Sequence, residues 1–127
     1  MKFTSYGQTD VGMKRKLNED NFSILEDEGV YVVADGMGGH NAGEIASQIT
    51  IDTVAKFFQS SSKDEDITWP YKMDTSLSLN ANKLMVGIKF ANRTIFRNAS
   101  ANTAYAGMGT TVVAILTKNG EKDEIYI

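Results

Sequence analysis

The sequence has no cysteine, one proline, one histidine and one tryptophan in 127 residues. Without cysteine there is no disulfide scaffold and no thiolate metal site. With a single histidine besides, any metal site has to be built from carboxylates and carbonyls, a donor set that suits hard ions such as Mg²⁺ or Mn²⁺. No apolar run approaches the ~20 residues of a membrane span. Met1-Lys2-Phe3-Thr4-Ser5 carries a charge but no apolar stretch, so no signal peptide is visible. The formal net charge is −3, and Lys14-Arg15-Lys16 is the only basic run. Neither nucleic acid nor a membrane is therefore an expected partner, and a cytoplasmic location is the expectation. At 42% hydrophobic residues the chain can build a core, and its length suits one domain or part of one.

Periodicity divides the chain into β-type and helical segments. Residues 3–9 alternate loosely and predict a strand. Asp10-Val11-Gly12 is a turn signal, and 13–20 is a polar loop. Residues 21–25 and 30–34 predict the arms of a hairpin closed by Glu26-Asp27-Glu28-Gly29. Ala42, Ile45, Ala46, Ile49, Thr53 and Phe57 fall on one face of a helix predicted over 42–59. A polar loop over 60–66, and then Pro70, connect it to a second helix over 74–100. The stripe of that helix is Leu77, Ala81, Leu84, Ile88, Ala91 and Ile95, with Asp74, Thr75 or Ser76 as cap. The run 110–116 is strongly β-type, Asn119-Gly120 is a hairpin turn signal, and Ile125-Tyr126-Ile127 begins another strand.

The chemistry gathers in the loops. The apolar strand 30–34 runs into Asp35, followed by Gly36, Gly38 and Gly39. Glycines there let the backbone approach whatever the carboxylate holds. If the hairpin forms, its antiparallel arms bring Glu19 and Asp20 beside Asp35. Three carboxylates in one place repel unless a cation neutralises them. The glycines do not make a Walker A loop, because Gly-His-Asn stands where lysine and a hydroxyl residue are required. They do not make a dinucleotide fingerprint either, because Asn41 occupies the third glycine position. A purely structural turn and a solvated acidic loop are the simpler alternatives for each motif taken alone.

In combination, Thr9-Asp10-Val11-Gly12, Arg15-Lys16-Leu17-Asn18-Glu19-Asp20, Asp35-Gly36-Met37-Gly38-Gly39-His40 and Gly109-Thr110-Thr111 resemble the ordered N-terminal motifs of the PP2C-type metal-dependent serine/threonine protein phosphatases. The bacterial branch is the nearer likeness, and the resemblance spans about 5–127. It implies an α+β fold, a four-layer α-β-β-α sandwich of two antiparallel sheets flanked by helices. It implies hydrolysis of phosphoserine and phosphothreonine in proteins by a metal-activated water. Asp35 would bridge two Mn²⁺ or Mg²⁺ ions, and Glu19 and the Gly36 carbonyl would ligate one of them. Asp20 would sit behind the metals and hold one of their waters. Arg15 would contact the substrate phosphate. His40, the sole histidine, is a candidate acid or substrate-side residue, although eukaryotic members of the family carry histidine where this chain has Met37.

The family's catalytic domains are about twice this length, and two further aspartate ligands belong to the part beyond 127. The expectation is thus that residues 1–127 form the N-terminal part of one phosphatase domain. Alone, that part would be inactive and would self-associate through uncovered apolar strands. Phosphoproteins and a cognate serine/threonine kinase are the implied partners. The rival reading is a non-catalytic fragment or pseudophosphatase that serves as a binding module.

Overall fold

The computed structural model describes residues 3–63, 69, 71–118 and 124–127. Four strands form one antiparallel sheet in chain order: β1 (Asp20–Leu25), β2 (Val30–Met37), β3 (Gly109–Lys118) and β4 (Glu124–Tyr126). The acidic turn between β1 and β2 closes with the Gly29 N–H donating to the Glu26 carbonyl at 3.2 Å. Gly29 has φ +69°, and a Cβ there would collide with the Thr117 backbone of β3, so this turn requires glycine on two counts. Helix α1 (Ala42–Lys63) lies across β1, β2 and β3. Helix α2 (Leu79–Ala101) packs on α1 and reaches β3 and β4.

Strand β2 alternates as a sheet with one covered face should. Val30, Val32 and Ala34 are buried, whereas Val33 is 57% and Met37 66% exposed. The buried set meets Ala114 and Leu116 of β3, Ile51, Val54, Phe57 and Phe58 of α1, and Leu84, Val86 and Ala91 of α2 in one core. Phe57 is packed edge-on against Phe58 and Trp69, with centroids 5.5 and 6.1 Å apart. The opposite face of the sheet is also apolar. Phe22, Val33 and Val113 stand in one row across β1, β2 and β3, with Val33 and Val113 more than half exposed.

Several boundaries differ from the expected ones. Residues 3–9 form no strand. They cross the outer face of the hairpin, where a Cβ on Gly7 would strike the Phe22 ring. Strand β2 continues through Asp35 to Met37, because β3 offers partners as far as Gly109. Helix α1 continues to Lys63, into the stretch expected as a loop. The remainder of that loop, Pro70 and the Asn119-Gly120 turn lie outside the described residues.

Helix α2 starts at Leu79, not at 74. Its cap is Ser78, whose hydroxyl accepts from the Ala81 N–H at 3.2 Å. Asp74 instead accepts from the Ser76 hydroxyl at 2.6 Å and its N–H at 2.9 Å, which hold its carboxyl below the usual range. That local turn competes with helix, as short polar side chains do. The junction is fixed by Asn82, which is fully buried. Its amide nitrogen lies 2.8 Å from the Asp74 carbonyl and 2.9 Å from that of Ser78, and its Oδ1 accepts from the Asp74 N–H at 2.7 Å. Removing those partners leaves buried backbone groups unpaired. Asn82→Ala should therefore cost about 1–3 kcal/mol in denaturant unfolding, with faster amide exchange at the start of α2.

Candidate active site

The β1–β2 register places Asp20 directly opposite Asp35, and on its other side Asp35 pairs with Thr111 of β3. Asp35 lies inside a strand held on both edges, so its backbone is rigid and its side chain projects from the outer face. A polar cavity of about 240 Å³ opens beside the pair, and Asp10, Arg15, Asn18, Glu19, Asp20 and Asp35 line it. Loss of hydration raises the Asp20 carboxyl above its usual range. The charge of Asp35 and a hydrogen bond shared with it push the same way, and Arg15 opposes them.

The loop entering β1 is pinned by Asn18. Its amide donates to the Thr9 hydroxyl at 2.8 Å, and its Oδ1 accepts from the Asp20 N–H at 3.0 Å. The Glu19 carbonyl accepts from the Gly36 N–H at 3.1 Å, which extends the hairpin ladder by one rung. Beyond β2 the chain turns through His40 and Asn41, both left-handed at φ 53° and 65°, and enters α1. The first turn of α1 presses on the site: a Cβ on Gly36 would collide with the Gly43 carbonyl, and a Cβ on Gly43 with the Glu19 carboxylate.

The three expected carboxylates thus line one cavity but do not meet at one point. Asp20 and Asp35 face each other, and the Glu19 carboxylate lies against Gly43. Among the described residues, no three His, Asp or Glu side chains are grouped tightly enough to hold a metal ion unaided. Three uncompensated carboxylates cannot share a point cheaply. The residues nevertheless fit a hard divalent ion. Two carboxyls confront each other, every available donor is oxygen, and Gly36 and Gly43 keep the approach free of side chains. Arg15 lines the same cavity. His40 is exposed in its turn and does not line the cavity. Sequence reasoning passed over Asp10 and Asn18, which line the cavity, and Ser47, whose hydroxyl donates to the Glu19 carbonyl at 2.6 Å. Asp10 and Asn18 looked like turn and loop polarity, and Ser47 lay on a helix face with no period to mark it.

Comparison with known proteins matches the protein phosphatase 2C family to residues 13–127. The chain belongs to that family. It is 31% identical over 116 residues to the serine/threonine phosphatase Stp of Listeria monocytogenes, covering 86% of this chain and 40% of that protein. It is 35% identical over 120 residues to the serine/threonine protein phosphatase PstP of Mycobacterium tuberculosis, covering 94% and 20%. Among solved structures, that of M. tuberculosis PstP superposes with a TM-score of 0.66 at 31% identity, over 86% of this chain and 40% of that one. The PstP catalytic domain in complex with two manganese ions gives 0.65 at 31% identity, over 88% and 42%. The chain thus spans about two fifths of the Listeria relative's length. The close contact of Gly36 with α1 has a direct test. Gly36→Ala must push β2 and α1 apart, and should lower stability by about 1–3 kcal/mol in chemical denaturation.

Proposed function

We propose that these residues form part of the active site of a metal-dependent phosphatase that hydrolyses phosphoserine and phosphothreonine in proteins, with water as nucleophile and no phosphoenzyme. The observation that carries this reading is the Asp20–Asp35 pair, set opposite each other beside Arg15 in a polar cavity. Asp35 would bridge two Mn²⁺ or Mg²⁺ ions, with Glu19 and the Gly36 carbonyl as further ligands to one of them. Bound there, the ions would supply charge neutralisation and a water acidified towards neutral pH. Asp20, set opposite Asp35, would accept a hydrogen bond from the attacking water and orient it. Arg15 would hold two phosphate oxygens in its planar fork and align the phosphorus with that water. His40 would stand at the rim, on the substrate side.

The same reading makes the sheet one of two in a four-layer α-β-β-α sandwich, the second packing on the outer face that bears Val33 and Val113. Among the described residues no helix is long and apolar enough to cross a membrane; a cytoplasmic enzyme facing phosphoproteins and a cognate serine/threonine kinase fits the proposal.

Asp35→Asn in the full-length protein should lower Mn²⁺-dependent phosphopeptide hydrolysis by roughly three orders of magnitude, since each lost metal contact is worth several kcal/mol. The fold should survive, as judged by circular dichroism. Turnover close to wild type would remove Asp35 from the metal site. Arg15→Ala should raise KM for a phosphopeptide and leave Mn²⁺ affinity unchanged; an unaltered KM would make Arg15 an ordinary solvated loop charge. The 127-residue chain alone should self-associate through its outer apolar face. Light scattering after size exclusion should show oligomers that Val33→Lys with Val113→Lys disperses, and a monodisperse parent would refute this.

A further inference from the structure

One buried hydroxyl at the site is not used by the chemistry above. Ser47, on the second turn of α1, is fully buried. Its hydroxyl lies 2.6 Å from the Glu19 carbonyl oxygen and 3.1 Å from that of Glu44, and it accepts from the Asn21 amide at 2.7 Å. A hydroxyl has one proton, and the shorter contact takes it. The Glu19 carbonyl therefore receives two donors, the Ser47 O–H and the Gly36 N–H at 3.1 Å. The other end of the same peptide, the Asp20 N–H, is held by Asn18 at 3.0 Å. The peptide plane between Glu19 and Asp20 is thus pinned from both sides. It carries one site carboxylate on each flank, so its tilt sets both Cα–Cβ directions. Gly43, four residues before Ser47 and on the same face of α1, leaves the space in which the Glu19 carboxylate lies.

We propose that Ser47 and Gly43 are positioning residues: Ser47 fixes the Glu19–Asp20 peptide plane, and Gly43 sets the direction of the Glu19 carboxylate, so that α1 and not the loop determines how Glu19 meets a divalent cation. The inference rests on the reading of Glu19 as a metal ligand. The rival is that Ser47 merely satisfies buried polar groups. The two differ in which partner matters. A purely structural Ser47 is as dependent on Asn21 as on Glu19, because losing either leaves a buried group unpaired. A positioning Ser47 acts through Glu19 alone.

The test compares Ser47→Ala, Asn21→Ala and Gly43→Ala in the full-length protein. Mn²⁺ affinity is read by calorimetry, and stability by thermal unfolding. Groups that orient a ligand change metal affinity about 10–100-fold when removed. Ser47→Ala is expected to weaken Mn²⁺ binding at least tenfold. Asn21→Ala should lower the melting temperature and keep Mn²⁺ affinity within twofold. Gly43→Ala presses a methyl group on both the Glu19 carboxylate and the Met37 backbone nitrogen of β2, so it should lower the melting temperature and, in the folded protein, weaken Mn²⁺ tenfold or more by displacing the Glu19 carboxylate. If Ser47→Ala is too unstable to measure, Gly43→Ala decides alone. Mn²⁺ affinity unmoved by Ser47→Ala or by Gly43→Ala, or reduced equally by Asn21→Ala, overturns the proposal. A wild type that binds no Mn²⁺ overturns the metal-site reading itself, and this inference with it.

Discussion

The close approach of α1 to the hairpin is the constraint on which the site depends. It passes through two positions without side chains. Gly36 on β2 faces the Gly43 carbonyl, and Gly43 faces the Glu19 carboxylate, with no room for a methyl group at either. This contact lets a helix turn reach the backbone between two acidic residues and satisfy it by hydrogen bonds. The same contact seats Ala42 and Ala46 against Met108, which leads into the strand that pairs with Asp35. Small residues at the start of α1 thus serve packing and site geometry together, and neither can be altered without the other.

The energetics of the site run against those of the rest of the molecule. The core is conventional: alternating β residues under an amphipathic helix, each buried side chain contributing about 1.5–3 kcal/mol. At the site, loss of hydration first and repulsion from the facing Asp35 carboxyl second make Asp20 hold its proton more tightly than a free aspartate, and both raise the free energy of the folded state. A rigid, doubly paired strand can bear that repulsion where a loop would move away from it. Mounting Asp35 inside β2, rather than at its frayed end, is what keeps the two carboxyls facing each other in spite of that repulsion.

Much of this was legible in the sequence, for identifiable reasons. The hairpin was readable because Glu26-Asp27-Glu28-Gly29 sits between two apolar runs, and its antiparallel geometry alone brings Asp20 to Asp35. Both helices were readable from their stripes. What failed was local chemistry acting through tertiary contacts. Asp74 looks like a cap, but it spends its oxygen on Ser76, and buried Asn82 moves the helix start to Leu79. Residues 3–9 alternate like a strand but pair with none, and they lie across the Phe22 ring instead. Ser47 was invisible because a serine on a helix has no pattern of its own; only the fold reveals that it touches the Glu19 carbonyl.

Strand β2 has one more property, and it concerns folding. Val30-Tyr31-Val32-Val33-Ala34 is apolar on both faces, so shifting its pairing by one residue would exchange one set of apolar side chains for another at little loss. The polar residue that breaks this symmetry is Asp35, which such a slip would drive under α1 and away from water. The carboxylate at the centre of the site therefore also acts as a register mark. A neutral, apolar substitute at that position would leave the Gly36 contact with α1 as the remaining mark of which way up the strand lies.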